Sequence, residues 1–120
     1  MPELHKLMPP LGVLLDRCFK IALVTDGRLS GASGKVPSAI HVTPEAYDGG
    51  LLAKVRDGDL IRVNGQTGEL TLLVDDAELA QREPHHPDLS AQRVGTGREL
   101  FGALRENLSG AEQGATCIEF

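Results

Sequence analysis

Tryptophan is absent, and the chain carries one tyrosine and three phenylalanines (Tyr47, Phe19, Phe101 and Phe120). A core must therefore come from Leu, Val, Ile and Ala, and binding of nucleic acid by stacked bases is excluded as a main theme. Cysteine is scarce too. Cys18 and Cys117 stand near opposite ends of the 120-residue sequence, without the dense, paired spacing of a disulfide framework, so two unpaired thiols are expected. No apolar run reaches the ~18–20 residues of a membrane span, and the first residues lack a signal-peptide layout, so the chain reads as cytoplasmic with no membrane partner. Twelve Lys and Arg against seventeen Asp and Glu give a formal net charge of −5. That balance argues against nucleic acid as partner while leaving room for one local anion site.

What is present fits a single α/β domain with a core of its own. Leu4, Leu7 and Met8 lead into Leu11, Val13, Leu14 and Leu15 at helical spacing, which predicts a short helix ending near Arg17. This apolar, proline-flanked start reads as the interior of something longer. Ile21 to Val24 predicts a buried strand stopping at the turn Asp26-Gly27, and Ala39 to Val42 predicts a second. Thr43-Pro44-Glu45 has the pattern of a helix entry, with Thr43 as N-cap and a stop at Gly49-Gly50. Leu51 to Val55, Leu60 to Val63 and Leu70 to Val74 predict a three-stranded meander, separated by Asp57-Gly58 and by the turn from Asn64 to Gly68. A helix from Asp75 to Arg82, capped by Asp75 or Asp76, and another within Thr96 to Leu108 complete the pattern. The expected fold is α/β with a mixed, barrel-like sheet and flanking helices.

The least regular stretch, Gly27 to Gly34 (GRLSGASG) followed by Lys35, bends easily and can present backbone N–H groups with Arg28, Ser30, Ser33 and Lys35 to an anion. It fails as a Walker loop, which needs an earlier glycine where this chain has Leu29 and a hydroxyl residue where it has Val36. Its glycines are spaced too widely for a dinucleotide fingerprint. Ser30 lacks the glycine two positions earlier of a nucleophile elbow, because Arg28 stands there. An anion-binding or active-site loop and a tight surface turn both remain open on composition alone. His41, in the second predicted strand, reads as a hydrogen-bonded core residue or, less commonly, a base. His85-His86-Pro87 reads as a solvated loop, and Glu3 on spacing alone as an idle terminal glutamate.

Three stretches, read in order, resemble one family: Met1-Pro2-Glu3, Val24-Thr25-Asp26-Gly27-Arg28-Leu29-Ser30-Gly31, and His41-Val42-Thr43-Pro44-Glu45-Ala46 followed by Gly49-Gly50. They are similar to the C-terminal part of the dihydroxy-acid dehydratase and 6-phosphogluconate dehydratase family, over essentially the whole chain. Within it, the run from Gly31 to Ile40, His5 to Pro10, and Gly114-Ala115-Thr116-Cys117-Ile118 resemble the phosphogluconate branch.

The resemblance implies that residues 1–120 are one swivelling β/β/α C-terminal domain of a longer subunit. An N-terminal domain of that subunit would hold an iron–sulfur cluster, 4Fe-4S in type. The implied reaction is dehydration of 6-phospho-D-gluconate to 2-dehydro-3-deoxy-6-phospho-D-gluconate in the Entner-Doudoroff pathway, by a homodimer. It further implies Ser30 as the base and Glu3 as ligand to a divalent cation such as Mg. Asp26, Arg28 and Gly31 would order the loop or hold substrate oxygens. Lys35 with Ser33 is assigned to the phosphate from charge and branch difference. Alone, the chain is expected to be inactive and to expose an apolar patch. The alternatives are a dehydratase of another sugar acid or of branched 2,3-dihydroxy acids, and a non-catalytic anion-binding or docking module.

Overall fold

The computed structural model describes residues 3–30 and 34–118. A turn of 3-10 helix over His5–Leu7 runs into helix α1 (Met8–Asp16), whose first turn accepts proline because N–H groups there have no intrahelical partner. Strands β1 (Leu23–Val24) and β2 (Ser38–Ala39) pair in parallel, Leu23 opposite Ser38 and Val24 opposite Ala39. Backbone pairing continues beyond them. Thr25 N–H donates to Ala39 O at 2.9 Å, His41 N–H to Gly27 O at 3.0 Å and Val42 N–H to Thr25 O at 3.2 Å. The stretch leaving β1 is thus laid against the stretch leaving β2.

Strands β3 (Ile61–Asn64) and β4 (Glu69–Leu72) form an antiparallel hairpin. Its turn is organised by Asn64, whose Oδ1 accepts from the N–H groups of Gln66 and Thr67, and by Gly68 at φ 73°, a conformation that suits glycine. Helix α2 (Asp76–Gln81) starts as expected, with the Asp75 side chain accepting from Ala77 N–H at 2.9 Å. Arg82 then fastens the end of α2 to the segment before the hairpin. Its guanidinium donates two parallel bonds to Asp59, at 2.6 and 2.9 Å, and further bonds to Glu78 and to Lys54 O. These side chains are nearly buried, 11% exposed for Arg82 and 9% for Asp59. The planar, two-bond geometry makes this the best-formed ion pair among the described residues.

Several expectations are corrected. The described residues contain two separate two-stranded sheets and no closed barrel. Leu51–Lys54 forms a 3-10 helix where a strand was expected, so the meander reduces to the β3–β4 hairpin. His41 takes a left-handed φ of 54° and is exposed, which ends β2 early and removes it from any core. The turn after Pro44 is a 3-10 helix, Ala46–Asp48, so Thr43 is not its N-cap residue; Glu45 holds that position and makes no side-chain cap. The single helix expected up to Leu108 is broken into a 3-10 turn, Arg98–Phe101, and a short helix α3 (Gly102–Glu106). Gly97, at φ 81°, and Gly102 flank the turn, and glycine is a poor helix former.

Burial is slight. Among the described residues only Val36, Ala53 and Leu79 are buried apolar side chains, while Leu100 is 83% exposed and Phe101 56%. The chain exposes 9050 Å², against about 6300 Å² for a free monomer of its mass. Its radius of gyration is 16.4 Å, against about 14 Å for a compact domain of this length. Leu, Val and Ile have been gathered without enough neighbours to cover them.

Candidate active site

The residues singled out around Ser30 are brought to one place by backbone pairing. Glu3 and Arg28 form an isolated parallel bridge, and Leu4 N–H donates to Arg28 O at 2.9 Å. This lays the first described residues alongside the loop that leaves β1. Glu3 Oε1 then accepts two N–H groups, from Ser30 at 3.0 Å and from His5 at 2.9 Å, while Oε2 lies 3.6 Å from Arg28 Nε. The Glu3 carboxyl is accordingly held below the usual range, first by the Ser30 backbone N–H, with the Ser30 hydroxyl, His5 N–H and Arg28 adding to it against a desolvation that pulls the other way. Glu3 is therefore an ionised, engaged carboxylate at neutral pH.

The loop backbone is equally occupied. Gly27 N–H donates to Thr25 Oγ1 at 2.9 Å, Gly27 O accepts from His41, and Ser30 N–H is used by Glu3. These two N–H groups were expected to face an anion and instead hold the loop together. Gly31 and Ser33 lie outside the described residues. Asp26 is half-buried, and its Oδ2 accepts from Ala46 N–H at 2.8 Å. Lys35 Nζ lies 2.6 Å from Asp16 Oδ1 at the end of α1, with both side chains exposed. The structure thus gathers Glu3, Arg28 and Ser30, sets Asp26 at the root of the same loop, and pairs Lys35 with Asp16 at the end of α1.

Sequence reasoning missed the partners of these groups: the Leu4–Arg28 bond, Ala46 beneath Asp26, and Asp16 beside Lys35. No local pattern signals them, because each joins segments distant in sequence. It also missed a cleft of about 400 Å³ lined by Thr43, Glu45, Asp48 and Glu112 among others, which contains none of the expected site residues.

Two groups of ligands were implied. For a divalent cation, Glu3 Oε1 accepts from two N–H donors and Oε2 lies 3.6 Å from Arg28 Nε. The described residues hold no group of three or more His, Cys, Asp or Glu side chains, so Glu3 fits as one ligand of a site and not as a site. For an iron–sulfur cluster, which takes about three or four cysteine sulfurs, the residues do not fit: the chain has two cysteines, Cys18 exposed and Cys117 half-buried, both free. No helix among the described residues is long and apolar enough to cross a membrane.

The chain is 93% identical over 120 residues to the phosphogluconate dehydratase of Escherichia coli (strain K12), covering 100% of this chain and 20% of that protein. It is 63% identical over 117 residues to the phosphogluconate dehydratase of Pseudomonas aeruginosa, covering 96% of this chain and 19% of that one. Against the dihydroxy-acid dehydratase 2 of Pseudoalteromonas translucida the identity is 41% over 117 residues, 95% of this chain and 20% of the relative. The chain thus spans about a fifth of the length of the curated relatives it matches. The family model for the dihydroxy-acid/6-phosphogluconate dehydratase C-terminal region matches residues 1–115, and the chain belongs to that family.

Proposed function

We propose that this chain is the C-terminal part of a hydro-lyase that converts 6-phospho-D-gluconate to 2-dehydro-3-deoxy-6-phospho-D-gluconate, the Entner-Doudoroff dehydration, with Ser30 as base and Glu3 as a metal ligand. The observation that carries the reading is the bond from Ser30 N–H to Glu3 Oε1, which puts the two residues side by side in a chain 93% identical to a phosphogluconate dehydratase.

The chemistry requires breaking the C2–H bond beside a carboxylate, with the proton going to Ser30 Oγ, and breaking the C3–O bond as that hydroxyl leaves as water. The departing oxygen takes up one proton as it leaves, and the enol left behind gains a proton at C3 and gives up its O–H proton, which yields the 2-keto product. A serine hydroxyl is too weak an acid to serve as a base at neutral pH unless its alkoxide is stabilised. Beside the Glu3 carboxylate an unassisted alkoxide is still less favourable, since two anions would adjoin. When bound, a divalent cation offsets the charge of the substrate carboxylate and of Ser30 together. Arg28, paired with Glu3, holds this arrangement and faces a substrate oxygen, and Gly31 is assigned to substrate binding with it. Lys35 and Ser33 take the phosphate end, Lys35 exchanging Asp16 for the phosphate. An exposed ion pair such as Asp16–Lys35 is worth only about 0–1 kcal/mol.

Residues 1–120 act in this reading as one swivelling domain that closes over an N-terminal domain of the same cytoplasmic, homodimeric subunit, and the 4Fe-4S cluster is held by that other part. The excess of exposed surface, with Leu100, Phe101, Leu104 and Leu108 uncovered, supports a neighbour of this kind and disfavours a free-standing docking module. The reading is tested by turnover of the full-length enzyme and its Lys35→Ala variant on 6-phosphogluconate, gluconate and branched 2,3-dihydroxy acids. Preference for the phosphorylated acid, with a KM raised by Lys35→Ala for that substrate alone, is expected. Equal loss on all acids removes Lys35 from the phosphate, and preference for an unphosphorylated acid assigns the chain to another dehydratase.

A further inference from the structure

Asp26 lies at the root of the Ser30 loop, yet its carboxylate is turned to a different segment. Its Oδ2 accepts from Ala46 N–H at 2.8 Å, across 20 positions of sequence. Ala46 opens the 3-10 turn Ala46–Asp48, where the residue at the N-cap position, Glu45, makes no side-chain cap bond. Asp26 therefore supplies from a distance the cap that the turn lacks locally.

The receiving segment is closely bonded within itself. Asp48 N–H and Gly50 N–H both donate to Glu45 O, at 2.9 and 2.8 Å. The chain packs so closely that a Cβ on Gly50 would stand 1.9 Å from Pro44 O. On its other side the loop is tied to the first residues, through Leu4 N–H to Arg28 O and through Ser30 N–H to Glu3. The path from Asp26 to Ser30 is thus clamped at both ends, by Ala46 and by Glu3.

We propose that Asp26 is a positioning residue for Ser30: it works by accepting the Ala46 N–H, and its negative charge is not needed for substrate or metal. This rests on the reading of Ser30 as the base. The bond asks only for an acceptor oxygen at the end of a short side chain, and asparagine provides one while removing the charge. A base displaced by about 1 Å loses turnover by about 100-fold while binding is less affected.

The experiment compares Asp26→Asn, Asp26→Ala and Ser30→Ala in the full-length enzyme, by kinetics and by hydrogen exchange at the Ala46 and Ser30 amides. Asp26→Asn is expected to keep kcat within about 3-fold with both amides still protected; Asp26→Ala is expected to lower kcat by about 10- to 100-fold, with KM little changed and faster exchange at Ala46. Equal loss in the Asn and Ala variants overturns the proposal in favour of a charge role, and parent-like kinetics and exchange in Asp26→Ala overturn it outright. Should Asp26→Ala not fold, Asp26→Asn decides alone: retained kcat supports the proposal and a large loss overturns it. Near-normal turnover of Ser30→Ala removes the base reading instead, and the exchange at Ala46 and Ser30 still decides whether Asp26 fixes the loop.

Discussion

The Ser30 backbone N–H donates to Glu3 Oε1 at 3.0 Å, so two residues 27 positions apart share one hydrogen bond. The same oxygen accepts from His5, and the neighbouring oxygen faces Arg28, so a single carboxylate joins the first described residues to the Ser30 loop. In the full-length enzyme Glu3→Ala is expected to lower kcat by about 100-fold or more and to speed amide exchange at both Ser30 and His5. Retained protection at Ser30 would mean that the loop is held without Glu3.

Gly50 offers a sharp test of packing. Its would-be Cβ meets Pro44 O at 1.9 Å and Glu45 O at 2.9 Å, whereas Gly65 has nothing within 4 Å. Gly50→Ala is expected to destabilise by about 1–3 kcal/mol through forced overpacking, and Gly65→Ala to change stability by less than about 0.5 kcal/mol. Equal effects in thermal melts would contradict the close approach.

The Asp59–Arg82 pair predicts how stability responds to acid. Two bonds from the Arg82 side chain, first among the causes, with help from the Arg56 backbone N–H, hold the Asp59 carboxyl down to about 2 from an ordinary 3.8. Because the unfolded chain takes up this proton at a higher pH than the folded one, the pair's stabilisation is complete above about pH 4 and is lost as pH falls through about 2. Asp59→Asn is expected to melt lower at neutral pH, by about 5 °C or more, and to show a flatter decline over that acid window. An unchanged acid profile would contradict it.

How much of this was legible in sequence depends on the range of the forces involved. The Asp75 cap, the turn from Asn64 to Gly68 and the hairpin were readable because their signals lie within a few residues of one another. Leu51–Lys54 was misread because a short apolar run does not distinguish a strand from a helical turn, and His41 because its left-handed φ has no apolar-periodicity signature. The candidate site residues were named from the resemblance and from charge. What joins them, Ser30 to Glu3 and Asp26 to Ala46, are bonds between distant segments that no local pattern encodes.

The uncovered apolar side chains carry their own prediction. Leu100, Phe101, Leu104 and Leu108 are all about half exposed or more. The 120-residue chain by itself is expected to self-associate and to bind a hydrophobic dye, and Leu100→Ser with Phe101→Ser to reduce both. A monodisperse monomer without dye binding would favour a free-standing module.

The most direct test of the account is dehydration of 6-phosphogluconate by the full-length enzyme carrying Ser30→Ala, with cluster content followed by absorbance and substrate binding measured separately. The account predicts turnover reduced by about 1000-fold or more with cluster and binding intact. Near-normal turnover would contradict it and return the Ser30 loop to a structural role.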